Sequence, residues 1–162
     1  SVDIKIDAFI PETYIEDEVQ KIEVYKKIAS ISSYEDMMDI IEELVDRFSD
    51  IPYSVTNLMD ISYIRSLGKK LEIEEIKEAG DELVLKFDSV ESIDQKLFKS
   101  VIDKYSKQIV FRYGEKPVIA CKLNVIKRGN IIEFLEEFLK FMIDNNKTEK
   151  DHIREENGIE KN

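Results

Sequence analysis

The chain has no tryptophan, one cysteine and one histidine, and these shortages remove whole classes of chemistry. Cys121 has no partner for an internal disulfide, which favours a cytosolic setting. His152 lies in a polar C-terminal stretch, which argues against a Ser–His or Cys–His pair and against a His-containing zinc site. Gly68, Gly80, Gly114, Gly129 and Gly158 are too widely spaced to form a P-loop or a dinucleotide fingerprint. No apolar run approaches the length of a membrane span, and the opening SVDIKIDAF does not read as a signal peptide. No cofactor, metal or membrane partner is expected.

Positive charge is scarce as well. Lys and Arg number 24 against 35 Asp and Glu, a net charge of -11. Binding a phosphate backbone needs clustered cations that release counterions, so direct nucleic-acid binding is not expected. A basic protein partner is compatible with this balance. The best rival DNA surface would be Lys69 and Lys70 with the pair Lys127 and Arg128.

What is present suits one domain of ordinary size. Hydrophobic residues make up 43% of 162, enough for a core. The chain opens on Ser1 rather than Met, which fits a piece of a longer protein. In VDIKIDAFIP, Ile4, Ile6, Ala8 and Ile10 alternate with polar residues and Phe9, an extended pattern that Pro11 ends. A first helix is expected from about Glu16 to Ala29, with Val19, Ile22, Tyr25 and Ile28 inward and a Glu23–Lys27 pair on its wet face. Ser32 or Ser33 with Glu35 or Asp36 forms a capping box for a second helix, whose core face is Met37, Ile40, Ile41, Leu44 and Phe48. Pro52 suits the first turn of a third helix running to about Gly68.

Beyond Gly68 the period changes. KLEIEEIKEA, a Gly80-Asp81 turn and ELVLKFD predict a hairpin. A helix carrying Ile93, Leu97, Val101 and Ile102 follows, then the strands QIVFRY and VIACKLNVI about the turn GEKP. Asn130 caps a last helix holding Ile131, Phe134, Leu135, Phe138, Leu139 and Met142. The expected class is α+β: three helices, then a small, mostly antiparallel sheet with two further helices. Residues 1–143 form a single domain in this reading, monomeric in isolation, and 144–162 form a polar tail expected to be disordered.

The second helix also carries the candidate site. A helix turns about 100° per residue, so Asp39, Glu43, Asp46 and Asp50, at steps of four, three and four, fall along one line. Like charges at these spacings repel one another, and carboxylates near a helix C-terminus oppose the macrodipole. No lysine is interleaved on the line; Arg47 stands one step to the side, able to reach back to Glu43. A helix shaped for stability alone would mix signs on this face, so the ridge reads as an interaction surface. The bland alternative is a solvated helix face, and a stand-alone acidic adaptor is another reading. A carboxylate-based enzyme is the least favoured, because a catalytic pair needs burial to separate its two pKa values.

Two blocks, AFIPETYIEDEVQKIEVYKKIAS and ELVDRFSDIPYSVTNLMDISYIR, resemble the C-terminal domain of bacterial transcription-repair coupling factors. The matching positions are Ile10-Pro11, Tyr14-Ile15, Tyr25 to Ala29, Glu43 to Phe48, and Pro52, with Ser49 where that family usually has Gly. The specific match runs from about Ala8 to Gly68. The resemblance implies a regulatory, non-catalytic domain of a DNA translocase whose motor motifs are absent from this chain. It implies packing on an N-terminal module of the same protein that resembles UvrB, covering the surface that recruits UvrA until stalled RNA polymerase is engaged. Glu43 and Asp46 are the matching positions expected to pair with partner arginines, and Ser49 is expected to stiffen the helix end.

Overall fold

A computed structural model describes residues 1–146. Its elements are strand β1 (Val2–Asp3), helices α1 (Glu18–Ala29), α2 (Tyr34–Phe48) and α3 (Tyr53–Lys70), and strands β2 (Ile73–Ala79) and β3 (Glu82–Phe87). Helix α4 (Gln95–Tyr105), strands β4 (Ile109–Arg112) and β5 (Val118–Lys122), and helices α5 (Leu123–Ile126) and α6 (Ile131–Asn145) complete it. The five strands run in the order β1-β2-β3-β5-β4, antiparallel except for the short β1–β2 pairing. The α+β class and the division into three helices followed by sheet and helices are as the sequence predicts.

Helix α3 is the organising element, packed against α1, α2, α6 and β2. It buries Val55, Met59, Tyr63, Ile64 and Leu67, and also Asn57 and Ser62. Both polar groups are satisfied: Asn57 Nδ2 donates to the Asp7 carbonyl at 2.9 Å, and Ser62 Oγ to the Ile28 carbonyl at 2.6 Å. A buried polar group costs stability unless it is bonded, so these contacts tie the N-terminal segment and the end of α1 to α3. Pro52 sits just before α3 rather than in its first turn, and its carbonyl accepts from Val55 N and Thr56 N.

Helix α2 begins as the serines suggest. Ser33 Oγ accepts from Asp36 N at 3.1 Å, while Asp36 Oδ2 accepts from Ser32 N and Ser32 Oγ. Its far end is less comfortable. Ser49 has φ 73° and ψ −151°, a region open essentially to glycine alone. Ser49 therefore strains the end of α2 rather than stiffening it.

Four details depart from expectation. The N-terminal alternation is real, with Ile4 and Ile10 buried, but only Val2–Asp3 pair as a strand. Helix α1 buries Val24 and Ile28, whereas Val19 is 69% and Ile22 52% exposed. Positions at steps of three rotate by about 60° per step, so the expected set spreads over about half the helix circumference. Tyr25 lies at the margin, where its hydroxyl accepts from Ile10 N at 2.8 Å. LNVI, expected as strand, forms α5, because Leu123 and Ile126 both turn into the core at a spacing of three. Finally, α6 runs to Asn145, two residues past the expected domain end, and Asn130 makes no capping bond from its side chain. The rest of the expected tail, 147–162, lies outside the described residues.

The Gly80-Asp81 turn is as predicted. Gly80 adopts φ 60°, which a two-residue hairpin connection needs and which glycine takes without strain.

Candidate functional site

The expected core face of α2 points inward. Met37 and Leu44 are buried, and Ile40, Ile41 and Phe48 are partly buried against the core. Asp39 and Asp46 consequently face solvent, beside Val45, which is 50% exposed. Among the described residues, no lysine or arginine nitrogen lies within 4 Å of either carboxylate.

Glu43 is different. Lys27 Nζ of α1 donates to its Oε1 at 2.6 Å, and Arg47 Nη1 lies 3.5 Å from Oε2. The Lys27 hydrogen bond foremost, together with both cations, holds its carboxyl below the usual glutamate range. Lys27 thus pairs with Glu43 and not with Glu23 as expected, and a lysine does enter the ridge, from the neighbouring helix. Arg47 reaches back to Glu43 while its guanidinium covers the Phe48 ring at 4.8 Å.

Asp50 leaves the line. Helix α2 ends at Phe48, and the turn at Ser49 carries Asp50 off the helix. Its charge reaches the Tyr14 phenol, whose pKa is raised by burial and then by Asp50. That phenol donates to the Leu44 carbonyl at 3.4 Å, close to the end of α2. Among the described residues the ridge is therefore two carboxylates without an ion partner, Asp39 and Asp46, flanking a clamped Glu43, with Asp50 on the following turn.

Two carboxylate sites elsewhere escape sequence reasoning. Glu78 of β2 has a side chain only 1% exposed, paired with Arg128 and 4.0 Å from Lys5. Its Oε1 has no hydrogen-bond partner among the described residues. Arg128 is thereby removed from the suggested basic pair with Lys127. Glu136 of α6 meets Asp60 of α3 in the seam between those helices, and burial first, then Asp60, pushes Glu136 up to about 7. Burial also raises Asp60. A spacing rule within one helix cannot find either site, since each joins separate elements.

Other chemistry is sparse. Cys121 is fully buried on β5, and burial raises its thiol pKa beyond the range in which a thiolate forms. Among the described residues no group of three or more His, Cys, Asp or Glu is placed to hold a metal ion. No helix of the described residues is long and apolar enough to cross a membrane.

The TRCF domain family matches residues 4–98, from the N-terminal segment into α4. The chain is 34% identical over 111 residues to the transcription-repair-coupling factor of Bacillus subtilis, a match covering 67% of this chain and 9% of that protein. It is 31% identical over 133 residues to that of Rickettsia typhi, covering 80% of this chain and 12% of the relative. The Staphylococcus aureus (strain USA300) factor is 38% identical over 102 residues, covering 61% and 9%. The chain thus spans about a tenth of the length of these relatives. The fold is that of a crystal structure of the C-terminal domain of transcription-repair coupling factor, with a TM-score of 0.82, 23% identity, and coverage of 91% of this chain and 93% of that one. The family match extends over more than half of the chain, the N-terminal helices that carry the two motif blocks are in place, and the chain belongs to the TRCF domain family.

Proposed function

We propose that this chain is the C-terminal regulatory domain of a bacterial transcription-repair coupling factor, acting in the cytoplasm without catalysis of its own. In this reading it packs on the UvrB-like N-terminal module of the same protein and masks the surface that recruits UvrA. Release follows engagement of stalled RNA polymerase. The observation that carries the proposal is the outer face of α2, where Asp39 and Asp46 have no ion partner among the described residues and stand beside half-exposed Val45. Like charges left unpaired on one helix face disfavour the isolated domain, and a partner bearing arginines relieves them. Glu43, bridged by Lys27 and Arg47, supplies a pre-set carboxylate between them, and Asp50 extends the acidic surface past the helix end.

The test uses the full-length factor. Glu43→Ala with Asp46→Ala, titrated with UvrA, is expected to bind more tightly than wild type. The open fraction rises about tenfold for each 1.4 kcal/mol lost from the intramolecular interface. Charge reversal to Lys at Asp39 and Asp46 acts more strongly. Unchanged UvrA affinity in folded variants would reduce the ridge to a solvated face.

A further inference from the structure

Arg65, Lys69 and Lys70 are exposed along the last two turns of α3, and among the described residues no carboxylate oxygen lies within 4 Å of their side-chain nitrogens. Several cations elsewhere are engaged: Lys27 by Glu43, Arg112 by Glu82, Lys116 by Glu74, and Arg128 by Glu78. Lys104 and Lys140 lie over aromatic rings. Lys69 and Lys70 offset the partial negative charge at the C-terminus of α3. Arg65 stands a turn earlier, where that effect fades, and at i,i+4 it repels Lys69. In a chain of charge -11, three such cations fall together on one helix end.

The three cations border a recess of about 400 Å³ between the end of α1, the α1–α2 connection and α3. Arg65 and Lys69 also wall a second recess of about 280 Å³, which reaches Ile73 and Ile76 of β2. Serine hydroxyls of the first recess already donate within the chain. Ser30 Oγ donates to the Lys27 carbonyl at 2.7 Å, Ser66 Oγ to the Tyr63 carbonyl at 2.6 Å, and Ser32 Oγ to Asp36 Oδ2 at 2.9 Å. Each oxygen so engaged keeps acceptor capacity. A phosphodiester backbone offers no N–H to such acceptors, whereas a peptide offers one at nearly every residue.

We infer that this groove, on α3 rather than on the ridge of α2, binds an extended acidic peptide segment of a protein partner. Its carboxylates meet Arg65, Lys69 and Lys70, and its backbone N–H groups meet the serine oxygens. The spacing agrees. Arg65 and Lys69 are separated by about 6 Å along the helix axis, and alternate residues of an extended strand by about 6.7 Å, so an acid-x-acid pattern reaches both. The apolar wall of buried Ile31 suits a branched side chain between the acids. The inference does not depend on the masking role of α2.

The test is fluorescence anisotropy at low ionic strength with the whole chain and a labelled peptide, Gly-Ser-Asp-Leu-Glu-Val-Asp-Ser-Gly. Saturable binding is expected, absent for the same peptide with Asn and Gln in place of the acids. Arg65→Gln/Lys69→Gln/Lys70→Gln is expected to weaken it roughly tenfold or more, and Arg65→Gln alone, which leaves the helix end untouched, by a few-fold. The charge-matched control Lys96→Gln/Lys99→Gln/Lys107→Gln, on exposed positions elsewhere, is expected to bind as wild type. Equal loss in the control, retention in the folded triple variant, or tighter binding of a single-stranded or duplex oligonucleotide than of the peptide would each overturn the assignment.

Discussion

Two glutamates, one on α2 and one on β2, each lie beside two cations, yet their settings are opposite. Glu43 keeps 35% of its side chain exposed, with Lys27 and Arg47 around it in water. Glu78 keeps 1%, with Arg128 and Lys5 reaching in from the surface. A surface ion pair gains little because solvent screens it and two long side chains lose freedom. A buried carboxylate has given up its hydration, so its partners hold a charge that has nowhere else to go. The same pairing is therefore adjustable on the helical side, where a partner surface is proposed, and structural on the sheet side.

Arg128→Ala should leave Glu78 buried with only distant Lys5, destabilising the domain by about 3 kcal/mol or more in urea denaturation. Glu78→Met removes the buried charge itself and should be close to neutral. Equal cost of the two changes would show that Glu78 does not carry a buried charge.

Between the two extremes lies Glu136, in the seam of α3 and α6. Its carboxyl faces Asp60 of α3, with Glu133 and Lys140 on its own helix. Its pKa is raised from 4.5 to about 7, so the folded state binds its proton more tightly than the unfolded chain does. This stabilisation is present below about 4.5 and is lost as pH rises toward 7. Thermal melts should show a falling Tm over that window. Glu136→Gln should flatten the dependence and raise Tm at neutral pH; an unchanged pH profile would refute the coupling.

On the α2 side the effects are smaller. Ser49→Gly should stabilise by about 1 kcal/mol, because glycine adopts φ 73° without a Cβ penalty. Loss of stability there would mean that the turn is not strained. Glu43→Gln should cost about 0.2–1 kcal/mol, the range of an exposed pair. That sign opposes the expectation from repulsion and dipole alone, since Lys27 and Arg47 outweigh Asp39 and Asp46 as its near neighbours. The lowered Glu43 pKa adds a small stability present above the usual glutamate range and lost as pH falls through the folded value.

What one element can express within its own backbone period is legible in its residues alone. Ser33 and Asp36 start α2, Met37 and Leu44 face inward, Gly80-Asp81 turns the hairpin, and Asp39 and Asp46 share a solvent face. The two motif blocks also marked the family, because their residues are close neighbours in the chain. The tertiary structure decided which of two apolar edges α1 turns to α3, choosing Val24 and Ile28 over Val19 and Ile22. It decided that Lys27 answers Glu43, that Arg128 answers Glu78, and that Asp60 confronts Glu136. Helical and strand periods are set by local backbone hydrogen bonds and can be read in a short window. Charges on separate elements meet only after the elements dock, and the burial that gives each pair its strength exists only in the packed chain.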